Sequence, residues 1–227
     1  MKKVLTALLI AVGINTAYAQ VSANFGLVSD YRFRGISQTQ NAPAVQGGID
    51  YAHASGLYVG NWNSSVSSDL YTKGAGVEND LYAGFKKEVI KGLTVDVGSY
   101  NYLYPRTQMP ANNSGVHEVY AAVGYGPLAV KYNRAISNYF GIANSKGTSY
   151  YQADLSLPVA GMDKLKAVAH IGRTDVAHTP TLNYTDMNVG VVYTVAGVDL
   201  AMRYYKNTSL GANVKAANTV DGHELYQ

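Results

Sequence analysis

From about Asn24 to Lys206 the chain repeats one pattern. Runs of roughly ten residues alternate apolar side chains with polar ones or glycine. Side chains alternate across a strand with period two, so such a run is greasy on one face and wet on the other. A length of ~9–11 residues is also what a tilted strand needs to cross a bilayer. The pattern restricts the chain to a wall of strands with two chemically opposite faces.

The first run is read from Ala23 to Arg34. Ala23, Phe25, Leu27, Tyr31 and Phe33 fall on one parity; Asn24, Asp30, Arg32 and Arg34 fall on the other, with Val28 as the exception. As a helix the same residues would scatter Asp30, Arg32 and Arg34 around the cylinder, so the strand is preferred. Further strands are expected at about 43–51, 56–65, 77–87, 93–104, 116–125, 128–136, 149–157, 164–173, 184–193 and 197–206. The clearest is Tyr150 to Leu157, where Tyr151, Ala153, Leu155 and Leu157 oppose Gln152, Asp154 and Ser156.

The links alternate in length. Ala54-Ser55-Gly56, Lys91-Gly92, Gly126-Pro127, Pro158 to Asp163 and Ala196-Gly197 are brief and rich in turn residues; 35–42, 66–76, 105–115, 137–148 and 174–183 are longer and polar. Short turns at one rim and long loops at the other are the arrangement of bacterial membrane barrels, and a soluble sandwich has no need of it. Open strand edges are not tolerated in hydrocarbon, so a twelfth strand is expected from the tail after Lys206. That tail shows no sustained alternation and no terminal aromatic. The expected fold is all-β: a transmembrane antiparallel up-and-down β-barrel of about twelve strands.

An export signal precedes the runs. Lys2 and Lys3, the apolar stretch Val4 to Ile14 and the A-x-A site Ala17-Tyr18-Ala19 mark residues 1–19 as a cleavable signal peptide, with the barrel in 20–227. The apolar stretch is far short of the ~20 residues a membrane-spanning helix needs. Loss of Lys2 and Lys3 takes the net charge from +3 to +1, which removes any case for nucleic-acid binding. With no cysteine, an exported chain must hold together by packing and closed backbone pairing. These features place the chain in the outer membrane of a Gram-negative cell. The expected partners are outer-membrane lipid, the export pathway and barrel-assembly machinery, and small solutes.

Strand parity also sorts the charges. The polar face collects Asp30, Arg32, Arg34, Asp50, Glu78, Asp80, Lys86, Asp96, Glu118, Lys131, Asp154, His170, Asp186, Asp199 and Arg203. Their opposites include Phe25, Leu27, Leu81, Val97, Val119, Val130, Val189, Leu200 and Met202. A midplane Arg or Lys facing lipid costs about 2–4 kcal/mol, so the charged set is assigned to the lumen as pore-lining candidates. Arg32 and Arg34 are expected at a constriction with Asp30. Interior ion pairs that merely fill a narrow barrel are the plainer alternative, since twelve strands lie between filled and open sizes. Twenty tyrosines suit interfacial girdles: Tyr51, Tyr125 and Tyr193 at the periplasmic rim, Tyr31, Phe33, Tyr132, Tyr151 and Tyr204 at the outer one.

The stretch Ser29-Asp30-Tyr31-Arg32-Phe33-Arg34-Gly35-Ile36-Ser37-Gln38-Thr39 resembles the hallmark of the TorF-type porin family of proteobacteria. Gly56 to Trp62, Asn79 to Phe85, His117 to Tyr120 and Lys131 to Phe140 add weaker likeness. The resemblance implies an outer-membrane barrel of about twelve strands with a presumed pore role, and it carries no functional residues with it.

No catalytic, metal or cofactor grouping stands out. The five histidines are dispersed, His117 and Glu118 face opposite ways, and G-x-S-x-G and phosphate-loop motifs are missing. The expected function is passive diffusion of small hydrophilic solutes or ions. The alternatives are a non-conducting structural or surface-binding barrel and, remotely, an outer-membrane hydrolase.

Overall fold

The computed structural model describes residues 20–69, 73–108, 115–208, 219–220 and 223–224; the expected signal peptide lies outside them. Eleven strands form one sheet: β1 Gln20–Val28, β2 Ala44–Ala52, β3 Leu57–Ser65, β4 Val77–Ile90, β5 Leu93–Leu103, β6 Gly115–Tyr125, β7 Leu128–Ala135, β8 Ser149–Val159, β9 Met162–Asp175, β10 Tyr184–Val195 and β11 Val198–Thr208. Each pairs antiparallel with its neighbour in chain order, giving an unbroken meander.

The short links are as brief as expected. Two residues join β4 to β5, β6 to β7, β8 to β9 and β10 to β11. Ala196 and Gly197 both have positive φ (48° and 77°), the conformation that lets a two-residue turn follow strand twist. One boundary differs from expectation. Pro158 belongs to β8, and the ladder shifts register between Pro158 and Val159. A proline is tolerated at such an irregularity because it cannot donate to the ladder.

The first strand also differs, and more consequentially. β1 stops at Val28, and Arg32–Phe33 pairs with Ile36–Ser37 in a separate hairpin. Arg34 and Gly35 form its tip with positive φ (47° and 75°), a two-residue reversal that needs glycine at one place. The hairpin turns inward from the rim. Tyr31 stacks edge-on against Trp62 of β3, and its hydroxyl donates to Glu78 of β4. Arg34 reaches Glu118 of β6 and the ring of Tyr150 on β8. The carbonyl of Gly35 accepts from Asn207 of β11 at 2.9 Å. One hairpin can touch β3, β4, β6, β8 and β11 together only if the sheet curls around it.

The curl leaves a seam. Among the described residues β1 and β11 are the two edges of the sheet and do not pair. Of the tail, expected to supply a twelfth strand, the described residues Thr219–Val220 pair with His223–Glu224, and the rest of that stretch beyond Thr208 lies outside the described residues.

Burial is inverted relative to a soluble protein. Outward positions carry Phe25, Leu27, Ile49, Val97, Leu200 and Met202, each at least half exposed. Inward positions of the same sheet carry Gln46, Ser64, Glu78, Asp96, Glu118 and Asp186, all buried. Glycines thin the wall where inward tyrosines cross it. A Cβ on Gly172 would sit 2.0 Å from the Tyr150 hydroxyl, so that ring lies flat over the neighbouring strand only because glycine is there.

Candidate functional site

The lumen is organised in three layers, beginning at the loop-side rim. Tyr31, Phe33, Tyr102, Tyr104 and Tyr139 are buried there with Val66 and Val116, and Trp62, Tyr100 and Phe140 pack against them. Phe33 meets Tyr102 and Phe140 edge-on at 5.3 and 5.6 Å. Such edge-to-face pairs each add about 0.5–1.5 kcal/mol beyond burial. Tyr31 and Phe33 were expected in the outward girdle. They are inward instead because the chain leaves the strand at Val28, so strand parity no longer governs them.

The second layer is ionic. Arg34 makes a two-pronged pair with Glu118 (Nη1–Oε1 2.9 Å, Nη2–Oε2 2.7 Å) and donates to the Tyr139 hydroxyl at 3.0 Å. Both charged side chains are almost wholly buried, 6% and 1% exposed. Burial works against the Arg34 charge, but Glu118 and the surrounding groups outweigh it and hold its pKa well above the ordinary value. Burial pushes the Tyr139 hydroxyl up from its usual range. Asp30, on the way into the hairpin, pairs with Arg32 at 2.6 Å and accepts from Ser37 and Thr39. Asp30 and Arg32 thus pair with each other, while Arg34 at the hairpin tip pairs with Glu118 of the wall.

Beside the hairpin tip, His170 lies between Asp154 (2.7 Å) and Asp186 (3.1 Å), with the Tyr150 hydroxyl 3.0 Å from the same ring. Arg203 donates to Asn188 at 2.6 Å, and the Lys131 ammonium sits 3.8 Å over the Tyr120 ring. All of these groups but Tyr120, with Arg32, Arg34 and Tyr205, line a cavity of about 40 Å³, room for a few water molecules.

The third layer is a tyrosine–carboxylate mesh. Tyr58 and Tyr120 both donate to Asp96, at 2.7 and 3.2 Å, and Tyr82 donates to Asp50 at 2.5 Å. Lys86 is in register with Asp96. Asp199 accepts from Thr194 at 2.5 Å, and Asp80 is buried on the inward face of β4. Of the wall residues assigned to the lumen, Glu78, Asp80, Asp96, Glu118 and Asp186 are buried, and Asp50, Lys86, Lys131, Asp154, His170, Asp199 and Arg203 are half-buried. The proposed girdle residues Tyr51, Tyr125, Tyr151, Tyr193 and Tyr204 are exposed on the outward side, with Tyr132 beside Tyr151 at 5.1 Å.

Sequence reasoning missed Tyr139, Tyr150, Tyr102 and Trp62 as lumen residues. Tyr102 and Tyr150 were legible as the polar-parity partners of Asp80 and Asn133 across the ladder. Tyr139 lies in a link and carried no such signal.

The comparisons with known proteins are of two kinds. A double variant of OccD1 (OprD) is similar in structure at 13% identity, with a TM-score of 0.39 over 83% of this chain and 60% of that one. Two Pseudomonas aeruginosa structures are similar at the same level. OccK5 (OpdH) gives 13% identity, TM-score 0.38 and coverage of 82% and 61%; OccK10 (OpdN) gives 12%, 0.36, and 84% and 76%. The chain thus spans about three-fifths of the first two. No curated protein matches it. A family described as "Bacterial protein of unknown function (Gcw_chp)" matches residues 14–223, nearly the whole sequence, and the chain belongs to that family.

Proposed function

We propose that the protein is an outer-membrane channel of porin type, exported by its leader, which passes small hydrophilic solutes or ions around an inward-folded hairpin. The observation that carries this reading is the inverted burial: a hydrocarbon-compatible exterior around an interior lined by charged and hydroxyl groups. The TorF-type resemblance of the Ser29-to-Thr39 stretch points the same way, and that stretch is the hairpin itself. Both signs stand in the lumen, as in the Asp30–Arg32 and Arg34–Glu118 pairs, so selectivity between anions and cations is weak.

A sealed barrel is the second reading, favoured by the Phe33–Tyr102–Phe140 contact that covers the rim. Planar-bilayer recordings of the refolded full chain separate the two. A channel gives small, discrete conductance steps in the wild type and larger steps in Arg34→Ala and Arg32→Ala, which loosen the hairpin. Silence in the wild type and in both variants would leave only the sealed barrel.

A further inference from the structure

The outward face of β7 climbs from Leu128 and Val130 through Tyr132 to Arg134, so a cation stands one row above a rim tyrosine. Arg134 is exposed and donates weakly to the Tyr132 hydroxyl at 3.4 Å. Between it and the neighbouring links lies an open groove of about 750 Å³. The groove brings Arg134, Lys146 and His178 together with Asn144 and Ile136, and no carboxylate lines it.

The basic groups are held apart from acids. Among the described residues neither Arg134 nor Lys146 takes part in an ion pair. Asp175, two strands away in the same outward row, is engaged by Arg173 at 2.9 Å. His178 is fixed by Nδ1, which donates to the Asn144 carbonyl at 2.8 Å. Gly147 makes room for the guanidinium, since a Cβ there would lie 3.2 Å from Arg134 Nη2.

Height decides what such a groove meets. Below it run the apolar positions of β7 and β8 and the Tyr132–Tyr151 pair; above it are only links. We infer that the groove binds the phosphate of an outer-leaflet lipid headgroup, clamped by Arg134 and Lys146, with exposed Ile136 against the apolar side. A guanidinium and an ammonium suit phosphate oxygens, and basic groups at this height attract an anionic lipid surface. This inference rests on the outer-membrane reading above.

The test uses the refolded full chain in mixed micelles containing phosphatidic acid and phosphatidylcholine, with bound lipid counted by native mass spectrometry. The wild type retains phosphatidic acid preferentially. R134Q/K146Q loses about thirtyfold of that retention, while K87Q/K91Q, which removes equal charge elsewhere, loses none. Excess inorganic phosphate displaces no lipid. Unchanged retention in R134Q/K146Q, an equal loss in K87Q/K91Q, or displacement by inorganic phosphate would each overturn the inference. A heat-dependent gel shift in SDS is run on every sample. Its absence in the wild type overturns the barrel reading and this inference together; a normal shift with unaltered lipid retention overturns this inference alone.

Discussion

Arg34 shows how a single side chain is committed by its surroundings. Its two bonds to Glu118 are short and nearly parallel, and both groups are out of water. Removing one partner of such a pair costs about 3–5 kcal/mol, because the other is left charged and dry. Replacing both by apolar groups of similar volume is often neutral. Arg34→Ala is therefore expected to lower unfolding stability in urea-titrated lipid vesicles by about that amount, and the double variant R34M/E118L to regain most of it. If R34A alone unfolds like the wild type, the pair is not formed in the membrane. The sequence assigned Arg34 inward by a strand parity that does not govern the hairpin, and it gave no sign of its partner. Glu118 lies eighty-four positions away, and a contact of that separation is made by the curl of the sheet.

At the scale of elements, the strands and the hairpin obey different rules. From β2 onward, strand bounds agree with the alternation to within two or three residues, because burial on one face fixes parity and a one-residue slip would turn every charge outward. The hairpin has no such constraint. Its course is set by Gly35, whose φ of +75° disfavours any side chain and whose Cβ would meet Asn207 Oδ1 at 2.1 Å and Asp186 Cβ at 2.7 Å. Gly35→Ala should withdraw the tip from β10 and β11. The expected result is larger single-channel conductance, together with faster amide exchange at Ile36 and Ser37 and unchanged exchange in β4 to β6. Conductance equal to the wild type would show that the hairpin does not constrict the path. The alternating apolar and ionic residues of Tyr31 to Arg34 imitate a strand, which is why sequence alone extended β1 through them.

For the whole molecule, the decisive quantity is what the exterior touches. Val97 and Leu200 are 50% and 57% exposed on the outer surface. A lysine at Val97, midway along β5, is expected to destabilise the folded state by about 2–4 kcal/mol, and one at Leu200, level with the rim tyrosine Tyr193, by about 0–1 kcal/mol, both measured as urea unfolding in lipid vesicles. Little effect at Val97 would mean that water, and not hydrocarbon, surrounds the wall. The seam between β1 and β11 belongs to this scale too, since backbone edges in hydrocarbon must be paired or covered. The amino-acid sequence by itself determined the strands, their order and which face of each is polar, because period-two alternation and brief glycine turns are local. It also set the inward charges before any contact was known. Only the tertiary structure decided that the Asp30-to-Thr39 segment folds into the lumen, that Arg34 meets Glu118 and that Arg134, Lys146 and His178 share a groove. Those are contacts between distant parts of the chain, and they exist only once the sheet has curled far enough to bring its strands around a common interior.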